Sequence, residues 1–307
     1  MKKIIAILAA LSMLTALAAC GAKNDNETAT QPVSESETET QPVTEANVTE
    51  EASAQEDVTK EEETGEEEPK EEETSEDEKK LPETKAEILA AYAEVMNQAK
   101  KDAPGFTKVE YQELPEEGRV ITSGKTLVSA GLSVAGNFMT SQDKAEKDPE
   151  IQPKGNNMRS WPIRKCPKGC MLEDPEFLKS AKFEVLPDGN YKITLVTKPE
   201  TNPEPAAEGA STAPSKTGGI ITPLSKSEID ENLNGGIVSA VFRDINYKLI
   251  YHDCESVLVY NPENNHVISL DQTTRVSISG SAKALGATLA VGNQELINYA
   301  HIKDIKY

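Results

Sequence analysis

The chain is poor in the residues from which many binding and catalytic sites are built. Aromatic residues make up 5% of its 307 residues, with one tryptophan, and there are three histidines and four cysteines. Proteins that hold sugars usually stack them on exposed aromatic rings, so this composition gives little support to a carbohydrate site. His252, His266 and His301 lie in no recognisable catalytic motif, and we expect the protein not to be an enzyme.

A long apolar run is also missing, which argues against a permanent membrane-spanning helix at the N-terminus. Lys2 and Lys3 precede an apolar stretch, Ile4–Ala19, of 16 residues, whereas about 20 apolar residues are needed to cross the hydrocarbon core as a helix. Two lysines, an apolar segment and small residues before a cysteine follow the order of a secretory signal peptide. We therefore predict that residues 1–19 are a signal peptide.

Leu17-Ala18-Ala19-Cys20 closes this segment. These four residues resemble the lipobox of bacterial membrane lipoproteins, in which leucine and two small residues precede the cysteine that receives the lipid. The resemblance implies cleavage before Cys20, acylation of its thiol, and a position at the cell membrane facing the outside. Two or three acyl chains anchor a protein stably, at about 0.8 kcal/mol per buried CH₂.

The residues after Cys20 have the composition of a disordered tether. Residues 21–80 contain 22 Asp and Glu against five Lys, no aromatic residue and very few large aliphatic residues. Such a segment cannot bury enough apolar surface to offset the entropy lost on ordering. We predict that residues 20–80 are a flexible acidic spacer, about 40 to 45 Å across as a random coil and roughly 200 Å when fully extended. It would hold a folded unit away from the membrane.

Most of the negative charge of the chain belongs to this tether. The formal net charge is −20 for the whole chain, −17 for residues 21–80 and +2 for residues 1–20, which leaves −5 for residues 81–307. The acidity is therefore no sign of a binding site. We expect no nucleic-acid partner and no cofactor. With its lipobox, acidic tether and single C-terminal domain, the chain resembles uncharacterised secreted lipoproteins of Gram-positive bacteria.

Helical spacing and capping signals begin near Leu81. Thr84–Glu87 has the form of a capping box, and apolar residues follow at helical spacing until Pro104-Gly105. A second helix is predicted over 123–140, and a small one begins at a second capping box, Ser225–Glu228, and ends at Gly235-Gly236. The polar run 141–154 is predicted to be a loop. The apolar stripe of the second helix would comprise Leu127, Gly131, Val134 and Phe138.

Alternating apolar residues and turn signals predict an antiparallel sheet in the rest of the chain. The predicted strands cover 106–114, 182–186, 191–198, 237–254, 257–260, 266–270, 274–279 and 283–291. The later strands are consecutive and joined by short turns, which favours a meander. We therefore predict one α+β extracytoplasmic domain over residues 81–307, with a curved antiparallel sheet and two or three helices packed on one face.

Two near-matches to catalytic motifs do not indicate enzymes. Gly131–Ala135 comes within one residue of the G-x-S-x-G nucleophile elbow, but that motif needs a sharp turn between strand and helix, and Ser133 lies in the middle of a predicted helix. Gly118–Thr126 resembles a phosphate-binding loop, but it has five residues between its glycines where the motif has four. Helical packing and an ordinary loop explain the two segments.

The cysteines that remain after Cys20 are Cys166, Cys170 and Cys254. Outside the cytoplasm an oxidising environment favours a disulfide, either between Cys166 and Cys170 or between one of these and Cys254. Free buried thiols are the first alternative. A tetrahedral zinc site formed by Cys166, Cys170, Cys254 and His252 is the second, because His252 and Cys254 are two residues apart on a predicted strand and would face the same side. No other metal site is predicted.

The strand over 246–254 has apolar residues on both faces, with Tyr247, Leu249 and Tyr251 on one face and Ile250 on the other beside His252 and Cys254. Two such faces suit a sheet that has a core on one side and either helices or an apolar ligand on the other. We expect a lipid-anchored protein that binds an apolar ligand or a cell-envelope component without catalysis. The alternative is a structural or interaction module that pairs with another surface protein, and a hydrolase ranks third.

Overall fold

The computed structural model describes residues 80–156, 161–234, 240–284 and 286–307. The predicted signal peptide, Cys20 and the acidic tether lie outside the described residues, as do Gly235 and Gly236. The described chain has an α+β fold with one antiparallel sheet that is not closed, as predicted. Among the described residues, no helix is both long and apolar enough to cross a membrane.

The described elements comprise four α-helices, nine strands and two short 3-10 turns. The helices are α1 (Lys85–Asp102), α2 (Lys125–Phe138), α3 (Gln142–Lys147) and α4 (Lys226–Leu233). The strands are β1 (Gly105–Glu113), β2 (Val120–Ser123), β3 (Glu150–Gln152), β4 (Leu178–Val185), β5 (Tyr191–Thr197), β6 (Glu200–Thr201), β7 (Phe242–Asn261), β8 (His266–Ala284) and β9 (Ala287–Lys306). The 3-10 turns are Pro175–Phe177 and Thr217–Gly219.

Three long strands form the centre of the sheet. The strand order is β3-β1-β9-β8-β7-β5-β4, with β2 also paired to β9 and β6 to β7. Strands β7, β8 and β9 are consecutive and antiparallel, which confirms the meander. At about 3.3 Å per residue, a strand of 20 residues extends roughly 65 Å, and each of the three contains register shifts at which bulges bend it.

The number of strands at the C-terminus was predicted wrongly. The segments 266–270 and 274–279 belong to one strand, β8, because the residues between them continue the ladder with β7 and β9. The segment 283–291 is not one strand, because it contains the turn between β8 and β9. Gly286 has a φ of 80° there, a conformation that glycine adopts without steric cost.

Helix α1 forms where the capping box predicts it. The Thr84 side chain accepts a hydrogen bond from the Glu87 backbone, and the Glu87 carboxylate accepts one from the Thr84 backbone. The helix packs on one face of the sheet, which we call the inner face. The hydroxyl of Tyr92, which is fully buried, lies 2.8 Å from the Ser256 hydroxyl of β7. Helix and sheet are therefore joined by a buried polar contact as well as by apolar packing.

The polar run 141–154 is not a simple loop. It contains α3, whose N-cap Ser141 accepts a hydrogen bond from the Lys144 backbone, and the edge strand β3. Ala145 packs with Val109 and Tyr111 in a small cluster of its own. A single apolar residue produces no helical period, so this short helix depends on a tertiary contact that sequence spacing does not reveal.

Candidate functional site

An apolar cavity of about 210 Å³ lies between α2, α4 and the inner face of the sheet. It is located where two hydrophobic clusters meet, the large one under α1 and a smaller one that contains Val128, Phe242 and Leu289. Helix residues that line it are Val128, Gly131, Leu132, Ala135, Ile229 and Leu233; sheet residues include Ile245, Leu249, Ile278, Ala282, Leu289 and Val291. Its lining is therefore largely aliphatic.

The space exists because α2 presents small side chains to the sheet. Gly131 and Ala135 line the cavity between the larger Val128, Leu132 and Met139. The predicted stripe on this helix was wrong in part: Gly131 is buried and lines the cavity, but Leu127 is 39% exposed, whereas its neighbour Val128 is buried, as is Ala135. The side chain of Phe138 lies outside the described part of the structure. The observed stripe runs through positions 128, 132, 135 and 139, which also have helical spacing. Both stripes fit the sequence, and contact with β2 and β9 selects between them.

A glycine in β8 shapes the floor of the cavity. Gly280 pairs with Tyr247 of β7, and a Cβ atom at position 280 would lie 2.6 Å from the Asn246 carbonyl oxygen. The Tyr247 hydroxyl lies 2.7 Å from a carboxylate oxygen of Asp230, which joins α4 to the sheet. Burial and the neighbouring Asp230 carboxylate raise the pKa of Tyr247. The hydroxyl therefore stays protonated and donates a hydrogen bond to Asp230.

Gln294 is the polar side chain at one end of the cavity, and its hydrogen bonds are satisfied by the protein. It is 2% exposed. Its amide nitrogen donates to the Pro115 and Glu295 carbonyl oxygens at 3.0 and 2.8 Å, and its carbonyl oxygen accepts from Arg119 Nε at 2.6 Å. A ligand in the cavity therefore meets a largely apolar wall and, at Gln294, an amide that is already hydrogen-bonded to the protein.

The three cysteines of the domain are buried free thiols. Cys170 and Cys254 belong to the large cluster, whereas Cys166 lies in a small separate one. The thiols contact different backbone carbonyl oxygens: those of Ala207 for Cys166, Leu172 for Cys170, and His252 and Arg275 for Cys254. Burial raises the pKa of each thiol, which keeps it protonated and poorly reactive. The predicted disulfide is not formed in the structure and stays a prediction.

The zinc alternative does not match the structure. Among the residues that the structure describes, no three His, Cys, Asp or Glu side chains are placed to hold a metal ion. His252 and Cys254 do not face the same side, because β7 has a bulge between His252 and Glu255 and Asp253 has a φ of 46°. One extra residue reverses the alternation of the strand, so Cys254 turns to the core while His252 stays on the opposite face.

On that opposite face His252 contacts a hydroxyl and a carboxylate. Its Nε2 lies 3.1 Å from Ser277 Oγ and its Nδ1 lies 3.2 Å from a carboxylate oxygen of Asp253. Glu295 lies 3.7 Å from the same Nε2, and Lys179 pairs with Asp253 at 2.6 Å. This is the order of contacts that a serine nucleophile, its base and the orienting carboxylate have in hydrolases.

The surroundings of Ser277 differ from those of a hydrolytic site. Ser277 lies in the middle of β8 and pairs with Ile250 on one side and Glu295 on the other. The neighbouring backbone N–H groups are therefore committed to the two ladders, whereas an oxyanion hole needs N–H groups that point at the substrate. Sequence reasoning missed this cluster, because the bulge that brings Asp253 beside His252 leaves no signal in the alternation of residues.

Trp161 is a core residue and not a binding platform. It is 2% exposed and its ring centroid lies 5.2 Å from that of Phe106, so its ring packs in the core and is not presented to a ligand. No family model matches the chain, and neither the curated proteins nor the solved structures contain a significant match. The site is therefore interpreted from its own geometry.

Proposed function

We propose that this protein is a lipid-anchored, extracytoplasmic binding protein whose domain holds an apolar ligand in the cavity under α2. The observation that carries the proposal is the aliphatic lining of that cavity between α2, α4 and the sheet. Lipobox and acidic tether support the anchored location, since an acylated Cys20 would hold the protein at the membrane and the tether would let the domain move away from it.

The size of the cavity limits the ligand. An apolar cavity of about 150 Å³ admits a molecule such as benzene, so a volume of about 210 Å³ suits one ring system or a short length of one alkyl chain. A complete phospholipid is too large for it. The ligand class that fits best is a single-chain molecule whose apolar end enters the cavity.

The binding test uses the full chain with Cys20→Ala, so that no acyl chain of its own competes. A neutral naphthylamine dye, which becomes fluorescent in apolar surroundings, reports occupancy. We expect saturable binding that decanol displaces and that raises the melting temperature, because a ligand bound only to the folded state stabilises it. Binding that does not saturate, or that decanol does not displace, would contradict the proposal.

Matched variants on α2 locate the dye. Ala135→Leu places a larger side chain in the cavity and should abolish binding. Gly136→Ala, on the next residue, is the control, since a Cβ atom there contacts nothing within 4 Å. A second cavity variant, Ala282→Leu in β8, gives an independent result if the first one fails to fold. Dye binding that survives both cavity variants would place the ligand elsewhere.

The anchor is tested separately in cells. An alkyne-tagged fatty acid should label the wild-type protein, and Cys20→Ala should remove both the label and cleavage after residue 19. Mass spectrometry of the mature N-terminus measures both effects. An unmodified Cys20 in the mature protein would refute the anchoring and leave the cavity proposal untouched.

Hydrolysis is a second candidate function, favoured by the contacts of His252 with Ser277 and Asp253. If Ser277 is a nucleophile, a fluorophosphonate probe should label it, and Ser277→Ala should abolish both labelling and the turnover of nitrophenyl esters. We rank this function below binding, because the backbone around Ser277 is engaged in the sheet.

An interaction module that pairs with another surface protein remains the alternative to ligand binding if the dye and decanol do not bind.

A further inference from the structure

A polar cleft lies on the other side of α2 from the apolar cavity. Its volume is about 830 Å³. Leu114, Leu132 and Met139 line both spaces, so cleft and cavity adjoin at these three half-buried apolar side chains. Polar residues that line the cleft include Gln112, Glu116, Arg119, Lys125, Ser129 and Ser133. An apolar chamber and a polar one therefore meet at a single helix.

The charge of the cleft is opposite to that of the domain. Among the described residues that line it, the charged ones are Arg119, Lys125 and Glu116, which leaves a surplus of one positive charge in a domain of net charge −5. The Glu116 side chain is 90% exposed, whereas that of Arg119 is 17% exposed. The carboxylate is therefore the more solvated partner and is easily displaced from the pair.

Arg119 is held in place at the boundary with the cavity. Its Nε donates to Gln294, which lines the cavity, at 2.6 Å, and its Nη1 lies 3.3 Å from Glu116. An arginine has five N–H donors, so these two contacts leave further donors for an anion. Because Gln294 already fixes the guanidinium, little side-chain entropy is lost when an anion binds.

We propose that the ligand is an anionic amphiphile, with one alkyl chain in the apolar cavity and a carboxylate, sulfate or phosphate head in the cleft against Arg119 and Lys125. This inference rests on the proposed function and names the ligand class for the same site. The guanidinium of Arg119 binds the head through charge-assisted hydrogen bonds, and Lys125 adds a second positive charge. Ser129 and Ser133 lie along the cleft, where their hydroxyls can bind other oxygens of the head group.

The test compares ligands that share one chain and differ in the head. Decyl sulfate, decanoate, decyl trimethylammonium and decanol compete with the naphthylamine dye on the full chain with Cys20→Ala, each below its micelle concentration. We expect the two anionic ligands to bind about tenfold or more tightly than decanol, since a hydrogen bond to a charged group contributes more than a neutral one. The trimethylammonium ligand should bind more weakly than decanol.

Charge variants locate the head. Arg119→Gln and Lys125→Gln should each reduce the advantage of decyl sulfate over decanol while dye binding is kept. Lys303→Gln is the matched control, because this exposed lysine lies near the far end of β9, and it should change nothing. If Arg119→Gln fails to fold, Lys125→Gln still decides the result, since Lys125 is an exposed residue.

The outcomes separate this inference from the proposed function. Equal affinity for decyl sulfate and decanol would overturn the anionic head and leave the apolar site intact. No binding of dye, decanol or decyl sulfate would overturn both. Inorganic sulfate that protects the protein from unfolding as well as decyl sulfate does would show an anion site without an attached chain, and would also overturn the amphiphile.

Discussion

The inner face of the sheet carries two regions that are packed differently. Under α1, which we call the α1 region, the large side chains of Tyr92, Met96 and Leu258 are fully buried. Under α2, the α2 region, Gly131 and Ala135 face the same sheet across a space of about 210 Å³. Strands β7 and β8 contribute residues to both regions, whereas the side chains that the two helices turn to the sheet differ in size.

The two helices also begin differently. Helix α1 has a complete capping box, whereas the N-cap of α2 is Gly124, which has a φ of 67° and makes no side-chain hydrogen bond. A Cβ atom at position 124 would lie 2.5 Å from the Leu289 side chain that lines the cavity. The glycine therefore serves close packing at the cavity and not helix initiation. The α1 region is therefore the more tightly packed of the two, and the α2 region is the one that contains a cavity.

The largest expected effect is the loss of a side chain from the α1 region. Leu258 is fully buried in the large cluster, and Leu258→Ala should lower the free energy of unfolding by about 3 kcal/mol through lost transfer energy and the new cavity. Urea denaturation followed by circular dichroism measures it. A loss below about 1 kcal/mol would mean that the α1 region is as loosely packed as the α2 region.

Alkaline pH should destabilise the α1 region through Cys170. Burial raises the pKa of this thiol from its ordinary value of 9.0 to about 11. The folded state therefore holds the proton more tightly than the unfolded state, and the stability this gives is complete below pH 9 and is lost as the pH rises to about 11. The loss amounts to about 2 to 3 kcal/mol.

Urea denaturation of wild type and Cys170→Ala between pH 8 and 11 isolates this effect as the difference between the two proteins. The variant should lose less stability over that interval. The alternative outcome is that the two proteins lose equal stability without a reductant and unequal stability after one is added. That result would show that Cys170 is bound in the predicted disulfide, because a disulfide sulfur does not titrate.

Enlarging one alanine in each region tests the comparison directly. Ala99 is fully buried in α1, and Ala99→Leu should cost about 2 kcal/mol because a filled core has no room for three more carbon atoms. Ala135→Leu in α2 points into the cavity and should change stability by less than about 0.5 kcal/mol. Thermal unfolding of both variants measures the two changes in stability. Equal losses would show that the α1 and α2 regions are packed equally tightly.

A smaller loss of stability than that of Ala99→Leu is expected at the capping box of α1. Thr84→Ala removes the side-chain oxygen that accepts from the Glu87 backbone, which should cost about 1 kcal/mol. Thr84→Ser is the control and should cost much less, since serine is an equally good cap. Hydrogen exchange at the first turn of α1 reports the local opening, and an unchanged exchange rate in Thr84→Ala would show that the cap contributes nothing.

Sequence patterns predicted those parts of the fold that depend on neighbouring residues. The ends of α1 follow from Thr84, Glu87 and Pro104, and the meander follows from alternation and turns. Sequence patterns failed where one extra residue changes the register of a strand. The bulge at Asp253 has no signature in hydrophobic alternation, so the side to which Cys254 turns was predicted wrongly. The stripe of α2 was misplaced at Leu127 for a related reason, since two adjacent stripes on that helix are nearly equally apolar.

The candidate site was accessible from sequence only in part. An apolar ligand was expected from the two apolar faces of β7, but the cavity lies at the junction of two clusters whose members are far apart in the chain, such as Leu132, Ile229 and Val291. The cleft was not expected at all, because Arg119 meets Gln294 across 175 residues. Only the pairing of β2 with β9 brings them together.

By itself, the sequence determined the helix caps, the period of the strands and the α+β class, because each of these depends on interactions within a few residues. It also contains the lipobox-like residues Leu17-Ala18-Ala19-Cys20 and the acidic segment, on which the predicted anchoring rests. Tertiary structure alone decided the register of β7, the face that α2 turns to the sheet and the meeting of cavity and cleft. These three features depend on packing between segments that are far apart in the chain. The fit of a few side chains, and not local propensity, decides which of the alternative arrangements has the lower energy.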